Sequence, residues 1–298
     1  MNIGIMGAGA VGCYYGGLLA RAGHAVTLIG RPAFVQGVRA GGLRLQTADS
    51  DFVVHPRAAA EPAALGDADL VLVCVKSADT ESAGRALLPH LKPGSCVFSF
   101  QNGVDNAERL GAVLERPAVP AVLYVAVEMA GPAQVRHLGR GDIILGPSGG
   151  SEALAAALRT AGIPVTVSAD VIAALWGKLI TNCAYNALSA VAHLPYGPMM
   201  GVDGVAEVMA DVAGECAAVG RALGVALPKT DMGSLLGLAA TMPGQYSSTA
   251  QDLARGRRTE IDYLNGYVVR MGRECGIPTP ANRALYVMVR LLESKPPG

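Results

Sequence analysis

The N-terminal segment decides the fold and reads Asn2-Ile3-Gly4-Ile5-Met6-Gly7-Ala8-Gly9-Ala10-Val11-Gly12. The short apolar run at 2–6 predicts a buried β-strand, and the glycine-rich turn after it opens a helix. In a Gly-x-Gly-x-x-Gly turn the first glycine permits a tight bend, the second lets a ligand approach the backbone, and the third lets the helix pack against the strand. The segment predicts dinucleotide binding; the alternative is an ordinary glycine-rich turn.

The candidate cofactor-binding residues of this turn are Gly7, Ala8, Gly9, Ala10, Val11 and Gly12. Amide groups at the helix N-terminus would face the phosphates, where the helix dipole favours negative charge. The second strand ends in Leu28-Ile29-Gly30-Arg31, without the acid that usually accepts the ribose 2′-hydroxyl of NAD. Because a guanidinium can bind a 2′-phosphate, Arg31 favours NADP; the alternative is a solvated loop residue.

Apolar runs alternate with helical segments through the first half of the chain. Further strands are predicted at 25–29, 70–75, 95–99 and 119–125, with helices at 12–22, 80–91 and 105–114. The strands are continuously apolar, which is typical of a parallel sheet covered on both faces. Two hairpins are predicted as well, 43–46 with 52–55 and 134–137 with 142–145. The rhythm predicts a Rossmann-type α/β domain with a mostly parallel, doubly wound sheet.

From about Asp170 the apolar residues recur at helical spacing, and few strand-like runs remain. A last strand at 164–167 would close the first part. We therefore expect a nucleotide-binding domain at 1–168 and an all-α substrate and catalytic domain at 169–298. Its apolar faces are compatible with a homodimer or with a single core.

Composition excludes several classes of function. The chain of 298 residues is 51% hydrophobic and 16% charged, and its net charge of zero argues against a nucleic-acid partner. The six cysteines and five histidines show no ligand spacing, so no metal is expected. Glycines interrupt the apolar N-terminus, which argues against a signal peptide, and no long apolar run predicts a membrane span. We expect a cytoplasmic protein with reduced thiols.

The most informative stretch of the second half is 176–186, which reads WGKLITNCAYN. Lys178, Asn182 and Asn186 are spaced i, i+4 and i+8, so on a helix they form one polar stripe about 12 Å long. A Lys ammonium can neutralise and protonate the oxyanion that hydride transfer to a carbonyl leaves, and Asn amides can hold a small acid. The alternative is a solvated helix face.

Two further motifs follow predicted parallel strands. Val75-Lys76-Ser77 ends one strand, and Gln101-Asn102-Gly103 follows the next. Both would lie at the carboxyl ends of the strands, where open α/β sheets bind ligands.

These segments, together with Ser248 and Thr259-Glu260-Ile261-Asp262-x-x-Asn265-Gly266, resemble the ketopantoate reductase family (2-dehydropantoate 2-reductase) over nearly the whole chain. The resemblance implies NADPH-dependent reduction of 2-dehydropantoate to (R)-pantoate, towards pantothenate and coenzyme A, in a cleft between two domains. It implies that Lys178 is the general acid and that Asn182, Asn186 and Ser248 bind the substrate. Asn102 would lie near both nicotinamide and substrate. Lys76, Glu260 and, by a less secure alignment, Ala126 would contact the cofactor.

Two positions depart from the family pattern. Tyr196 stands where members with this activity tend to carry Asn, and Thr249 stands where Met is common. Both changes concern the pocket, so a paralogous reductase of another branched 2-oxo acid remains an alternative. A non-catalytic module that senses NADPH is a second alternative, which the glycine turn and Arg31 would serve equally well.

Overall fold

The computed structural model describes residues 1–227 and 231–295. The chain forms two compact units, Met1–Ile172 and Ala173–Gly298, each with its own architecture.

The first unit is built on one sheet. Its strands are β1 (Asn2–Met6), β2 (Ala25–Ile29), β3 (Leu43–Gln46), β4 (Asp51–Val54), β5 (Arg57–Ala59), β6 (Leu70–Val73), β7 (Cys96–Ser99), β8 (Ala118–Gly131), β9 (Gln134–Leu145) and β10 (Val165–Val167). Its helices are α1 (Ala10–Arg21), α2 (Pro32–Gly41), α3 (Thr80–Leu87), α4 (Asn106–Leu114) and α5 (Ser151–Thr160). Helices α2 and α5 are additional to those that the sequence pattern predicts.

The strand order is β4-β3-β9-β8-β7-β6-β1-β2-β5, with β10 beside β9. The part of the sheet that runs from β8 to β5 is entirely parallel. The β3–β4 and β8–β9 pairs are antiparallel. The order 7-6-1-2 reverses direction on either side of β1, which is how a doubly wound sheet is connected. The predicted mostly parallel sheet is confirmed.

Alternate residues of the central strands supply two separate cores. Ile3 and Ile5 of β1 and Leu72 of β6 belong to one apolar cluster, whereas Val71 and Val73 belong to another. Because successive side chains of a strand point to opposite faces, the two clusters lie on the two faces of the sheet. This double burial explains why these strands read as unbroken apolar runs.

The prediction of a hairpin between 134–137 and 142–145 is wrong. These residues form one strand, β9, which pairs along its length with the long strand β8. The residues that resemble a turn, Gly139, Arg140 and Gly141, all have positive φ and lie where the register shifts. They form an irregular bulge, which bends a strand without ending it. The other predicted hairpin, β3 with β4, is present.

The second unit is helical, as predicted. The helices from residue 171 onward are α6 (Val171–Ala192), α7 (Tyr196–Met200), α8 (Val205–Ala222), α9 (Met232–Thr241), α10 (Ser248–Ala254), α11 (Asn265–Cys275) and α12 (Pro280–Glu293). Over residues 1–227 and 231–295, no helix is both long and apolar enough to cross a membrane.

Three neighbouring helices hold α6 in place. Trp176 packs against Gly220 of α8, where an added Cβ would lie 2.9 Å from the indole. The Tyr185 hydroxyl donates a hydrogen bond to the Leu235 carbonyl of α9 at 2.8 Å. The Asn265 amide of α11 donates to the Cys183 carbonyl of α6 at 3.1 Å. Contacts on several sides fix the direction in which the polar stripe of α6 faces.

Candidate active site

The glycine turn joins β1 to α1 through close backbone contacts. Gly7 has φ +109°, and a Cβ there would lie 2.8 Å from the Val75 nitrogen. A Cβ on Gly12 would lie 2.2 Å from the Gly7 carbonyl oxygen. The amides of Gly7 and Ala8 both donate to the Ile29 carbonyl, at 3.2 and 2.8 Å. Gly7 and Gly12 are therefore required by the fold itself.

Gly9 differs from its neighbours because a Cβ on it would meet no protein atom within 4 Å. It is the exposed N-cap of α1, and no described side chain caps this helix end. The first-turn amides of an α-helix have no intrahelical acceptor, so they present donors and the positive end of the helix dipole to this open space. The turn therefore fits a diphosphate group, with Ala10, Val11 and Gly12 as the amide donors.

Arg31 lies beside this turn. It is exposed at the N-cap of α2, and it makes no ion pair within residues 1–227 and 231–295. The preceding residue, Gly30, is so close to Ala8 that a Cβ on Gly30 would lie 2.8 Å from the Ala8 Cβ. The backbone that carries Arg31 therefore lies next to the glycine turn, and its exposed guanidinium is available to a ligand anion.

The structure brings the Lys76 and Asn102 loops to the same edge of the sheet as the glycine turn. Strands β1, β6 and β7 are adjacent and parallel, so their carboxyl ends share one edge. The Ser77 hydroxyl donates to the Asn102 carbonyl at 2.9 Å and ties the two loops together. Ala126 lies farther along, six residues beyond Pro120, the last β8 residue that pairs with β7. It lies at the bulge opposite Gly139.

The stripe of α6 consists of Lys178, Asn182 and Asn186. The first two are half-buried and Asn186 is 4% exposed. Buried residues such as Leu179 and Cys183 surround the stripe and anchor the helix. Asn186 Nδ2 lies 3.5 Å from Oγ of Ser248, which is itself exposed at the start of α10. An ammonium, two carboxamides and a hydroxyl therefore line this part of the second unit.

Ser247, for which the sequence pattern predicts no role, holds Ser248 in place. Ser247 is 1% exposed, and its hydroxyl donates to the Asn186 carbonyl at 3.0 Å while accepting from the Ala250 amide. Its own amide donates to the Ser189 hydroxyl at 3.2 Å. Ser247 is thus both the N-cap of α10 and its link to α6. Only its residue type, a favoured N-cap, could have indicated this role from the sequence.

The two residues that depart from the family pattern are both buried. Tyr196 is 8% exposed, and its ring centroid lies 4.7 Å from that of Tyr185, the residue before Asn186. Burial raises the pKa of the Tyr196 hydroxyl well above its ordinary value, so the phenol stays neutral. The Tyr196 amide donates to the Gln245 carbonyl at 3.0 Å. Thr249 is 1% exposed in the first turn of α10. Both residues therefore lie close to the segment that carries Ser248.

Glu260 lies on a different loop of the second unit, between α10 and α11. It is half-buried and immediately precedes a short 3-10 turn at Ile261–Tyr263. The neighbouring Thr259 is fixed by Glu293 of α12, whose carboxylate accepts from the Thr259 amide and hydroxyl at 2.7 Å each. The backbone beside Glu260 is therefore anchored.

The chain matches two family models and many relatives. Residues 3–150 match the ketopantoate reductase PanE/ApbA model, and residues 170–293 match its C-terminal model. A 2-dehydropantoate 2-reductase of Halobacterium salinarum is 35% identical over 98% of this chain and 99% of its own length. The corresponding protein of Caulobacter vibrioides is 33% identical over 97% and 98%. A PanE/ApbA family ketopantoate reductase structure from Ralstonia eutropha superimposes with TM-score 0.95 at 56% identity over 98% of both chains.

The fold, with its glycine turn, and these matches define the class: this is an oxidoreductase built on a Rossmann-type domain. The chain belongs to the ketopantoate reductase family. The resemblance stated from the sequence is confirmed at this level.

Proposed function

We propose that this protein reduces 2-dehydropantoate to (R)-pantoate with NADPH. The observation that carries the proposal is the polar stripe Lys178–Asn182–Asn186 on the anchored helix α6, with Ser248 held against Asn186. The relatives named 2-dehydropantoate 2-reductase support it, since they are similar over almost the full length of both chains. We assign cofactor binding to residues 1–168 and substrate binding and catalysis to residues 169–298.

The cofactor would be held by the first unit at several points. Gly9 leaves room for the diphosphate, and the amides of the α1 first turn are its donors. Arg31 binds the 2′-phosphate, and Lys76, Asn102 and the Ala126 backbone are further contacts. Glu260 of the second unit is the remaining contact. When bound, NADPH supplies the hydride.

The residues of the second unit would bind the 2-oxo acid and supply the proton for its reduction. The Lys178 Nζ donates its proton to the substrate oxygen that gains negative charge, and its ammonium stabilises that charge as it develops. The amides of Asn182 and Asn186 and the hydroxyl of Ser248 bind the substrate's hydroxyl and carboxylate without adding charge. Asn102 orients the substrate at the carbonyl.

The substrate is tested by NADPH consumption across a panel of branched 2-oxo acids. We expect oxidation of NADPH only when a 2-oxo acid is added, with 2-dehydropantoate turned over most efficiently. Turnover of a different acid but not 2-dehydropantoate would favour a paralogous reductase, for which the buried phenol of Tyr196 is the motivating observation. Binding of NADPH without any turnover would favour the non-catalytic sensor.

Tyr196 provides a specificity test in the same panel. Because its ring fills space beside Tyr185, Tyr196→Asn should change the ratio of kcat/KM between 2-dehydropantoate and a bulkier 2-oxo acid by about tenfold. Tyr196→Phe keeps the volume and should retain the ratio of the unmodified protein. Melting temperatures of both variants check the fold. An unchanged ratio in Tyr196→Asn would place Tyr196 outside the specificity pocket.

Arg31 provides a test of cofactor choice. A guanidinium on a phosphate forms charge-assisted hydrogen bonds, so Arg31→Ala should raise the Kd for NADPH by about tenfold or more and leave that for NADH nearly unchanged. Arg39→Ala is the matched control, since Arg39 is exposed in the last turn of the same helix. Fluorescence titration measures both constants. Equal losses for the two cofactors would show that Arg31 does not read the 2′-phosphate.

A further inference from the structure

A cluster of buried polar side chains lies between the loops that follow β6 and β7. Its members are each exposed by 5% or less: Ser77, Thr80, Ser99, Gln101 and Asn106. Burying polar groups is costly unless each finds a hydrogen-bond partner. Here they bond to one another and to loop carbonyls, which argues that the network fixes the conformation of these loops.

Asn106, the first residue of α4, is the hub of this network. Its Nδ2 donates to the Asn102 carbonyl at 2.5 Å and to the Ser77 hydroxyl at 3.1 Å. Its Oδ1 accepts from the Thr80 hydroxyl at 2.9 Å and from Arg109 at 3.1 Å. A carboxamide has two donor hydrogens and two acceptor lone pairs, so the side chain is fully used. The donor half of Asn106 faces the two loops, and the acceptor half faces α3 and α4.

The network fixes the backbone on both sides of Lys76. Before it, the Val75 carbonyl accepts from Gln101 Nε2 at 3.1 Å. After it, the Ser77 carbonyl accepts from the Arg109 guanidinium at 2.9 Å. The Thr80 hydroxyl lies 3.1 Å from the same carbonyl and shares its single hydrogen between this oxygen and Asn106 Oδ1. The Asn102 carbonyl accepts two hydrogen bonds of its own, from Ser77 and Asn106. These hydrogen bonds therefore fix the position of the Lys76 loop relative to the Asn102 loop.

Arg109 closes the network on its outer side. Its guanidinium pairs with Glu81 of α3 through two hydrogen bonds of 2.7 Å each. This two-point contact joins α4 to α3, the helix that follows the Lys76 loop. The contact between α4 and α3 through Arg109 and Glu81 therefore does not depend on the donor half of the Asn106 side chain.

We propose that Asn106 is a positioning residue that sets Lys76 and Asn102 for the cofactor and the 2-oxo acid; this inference rests on the proposed function. Asn106 itself is 2% exposed and acts through the two loops. The substitution that tests this role is Asn106→Asp, which removes the donor and places a carboxylate oxygen opposite the Asn102 carbonyl. An aspartate has nearly the same shape and can still accept from Thr80 and Arg109, but it cannot donate to the Asn102 carbonyl.

The experiment compares Asn106→Asp with Ser151→Ala. Ser151 is 1% exposed, and its hydroxyl donates to the Gly146 carbonyl at 2.6 Å. Gly146 follows Leu145, the last residue of β9, which pairs with Ala121 near the start of β8. This is the opposite edge of the sheet from the Lys76 and Asn102 loops, so the control removes a buried hydrogen bond remote from them. The melting temperatures of both variants measure the stability that each change costs. Only Asn106→Asp should also lower kcat and raise the Kd for NADPH, each by about tenfold.

A second background shows whether the effect passes through the Lys76 and Asn102 side chains. In the double variant Lys76→Ala/Asn102→Ala, which keeps the Asn102 carbonyl, adding Asn106→Asp should change the Kd for NADPH by no more than about twofold, because coupled residues are not additive. The Kd is measured by fluorescence without substrate, so this test of the positioning role does not depend on turnover. A protein that turns over no 2-oxo acid would overturn the proposed function and leave the Kd comparison valid. The positioning role is overturned if Asn106→Asp matches Ser151→Ala in Kd and kcat, or weakens NADPH binding equally in both backgrounds.

Discussion

Lys178→Ala should lower kcat for reduction of the 2-oxo acid by about 10²- to 10⁴-fold while changing NADPH affinity little. The reason is that negative charge develops on the carbonyl oxygen only in the transition state. The ammonium therefore stabilises the transition state much more than it stabilises the complex with NADPH. Lys178 is half-buried on a helix that Trp176, Tyr185 and Cys183 anchor, so these contacts stay in place when the lysine is truncated. Steady-state kinetics and NADPH titration provide the two measurements.

Lys178→Arg separates charge from proton donation. A guanidinium keeps the positive charge but holds its proton far too tightly to release it near neutral pH. Turnover that stays low in Lys178→Arg would assign the loss to the proton, and turnover that recovers would assign it to charge alone. A Lys178→Ala variant that keeps full turnover would remove this residue from the mechanism.

Gly9→Ala should raise the Kd for NADPH by about tenfold or more, since an added methyl group would occupy the space left for the diphosphate. The fold should tolerate the change, because the Cβ meets no protein atom within 4 Å and φ at Gly9 is −82°. The melting temperature should fall only slightly, as expected for alanine at an N-cap. Fluorescence titration and thermal unfolding test the two statements together.

Two other glycines complete this test. Gly214→Ala lies on the exposed face of α8 with no atom within 4 Å of the new Cβ, and it should leave NADPH affinity unchanged. Gly12→Ala should instead lower the melting temperature, because its Cβ would lie 2.2 Å from the Gly7 oxygen. If Gly9→Ala binds NADPH as well as the unmodified protein, the diphosphate does not lie against this turn.

The strands and helices that the sequence predicted correctly are those whose signals are local. The apolar runs of β1, β2 and β6 reflect burial on both faces of a sheet, and the glycine spacing marks the turn into α1. The region 134–145 failed because Gly139-Arg140-Gly141 suggests a turn, whereas pairing with β8 carries the strand through it. Tertiary pairing overrode the local signal there.

The sequence placed the candidate site residues at strand ends and on one helix face, but it gave no indication of what holds them. Asn106 contacts Ser77 across 29 positions, and Ser247 contacts Asn186 across 61. Such partners are set by the order of strands and the packing of helices, and no short motif encodes them. Asn106 appears in the sequence only as a residue at a helix start, and Ser247 as one of several serines.

A crystal structure with NADP⁺ and 2-dehydropantoate bound would decide whether Lys178 is the proton donor. We expect Lys178 Nζ at hydrogen-bonding distance, about 2.6–3.2 Å, from the oxygen on C2 of the substrate, with the diphosphate against the amides of residues 10–12. A Lys178 side chain directed away from that oxygen, or a dinucleotide bound elsewhere than the first βα turn, would contradict the mechanism.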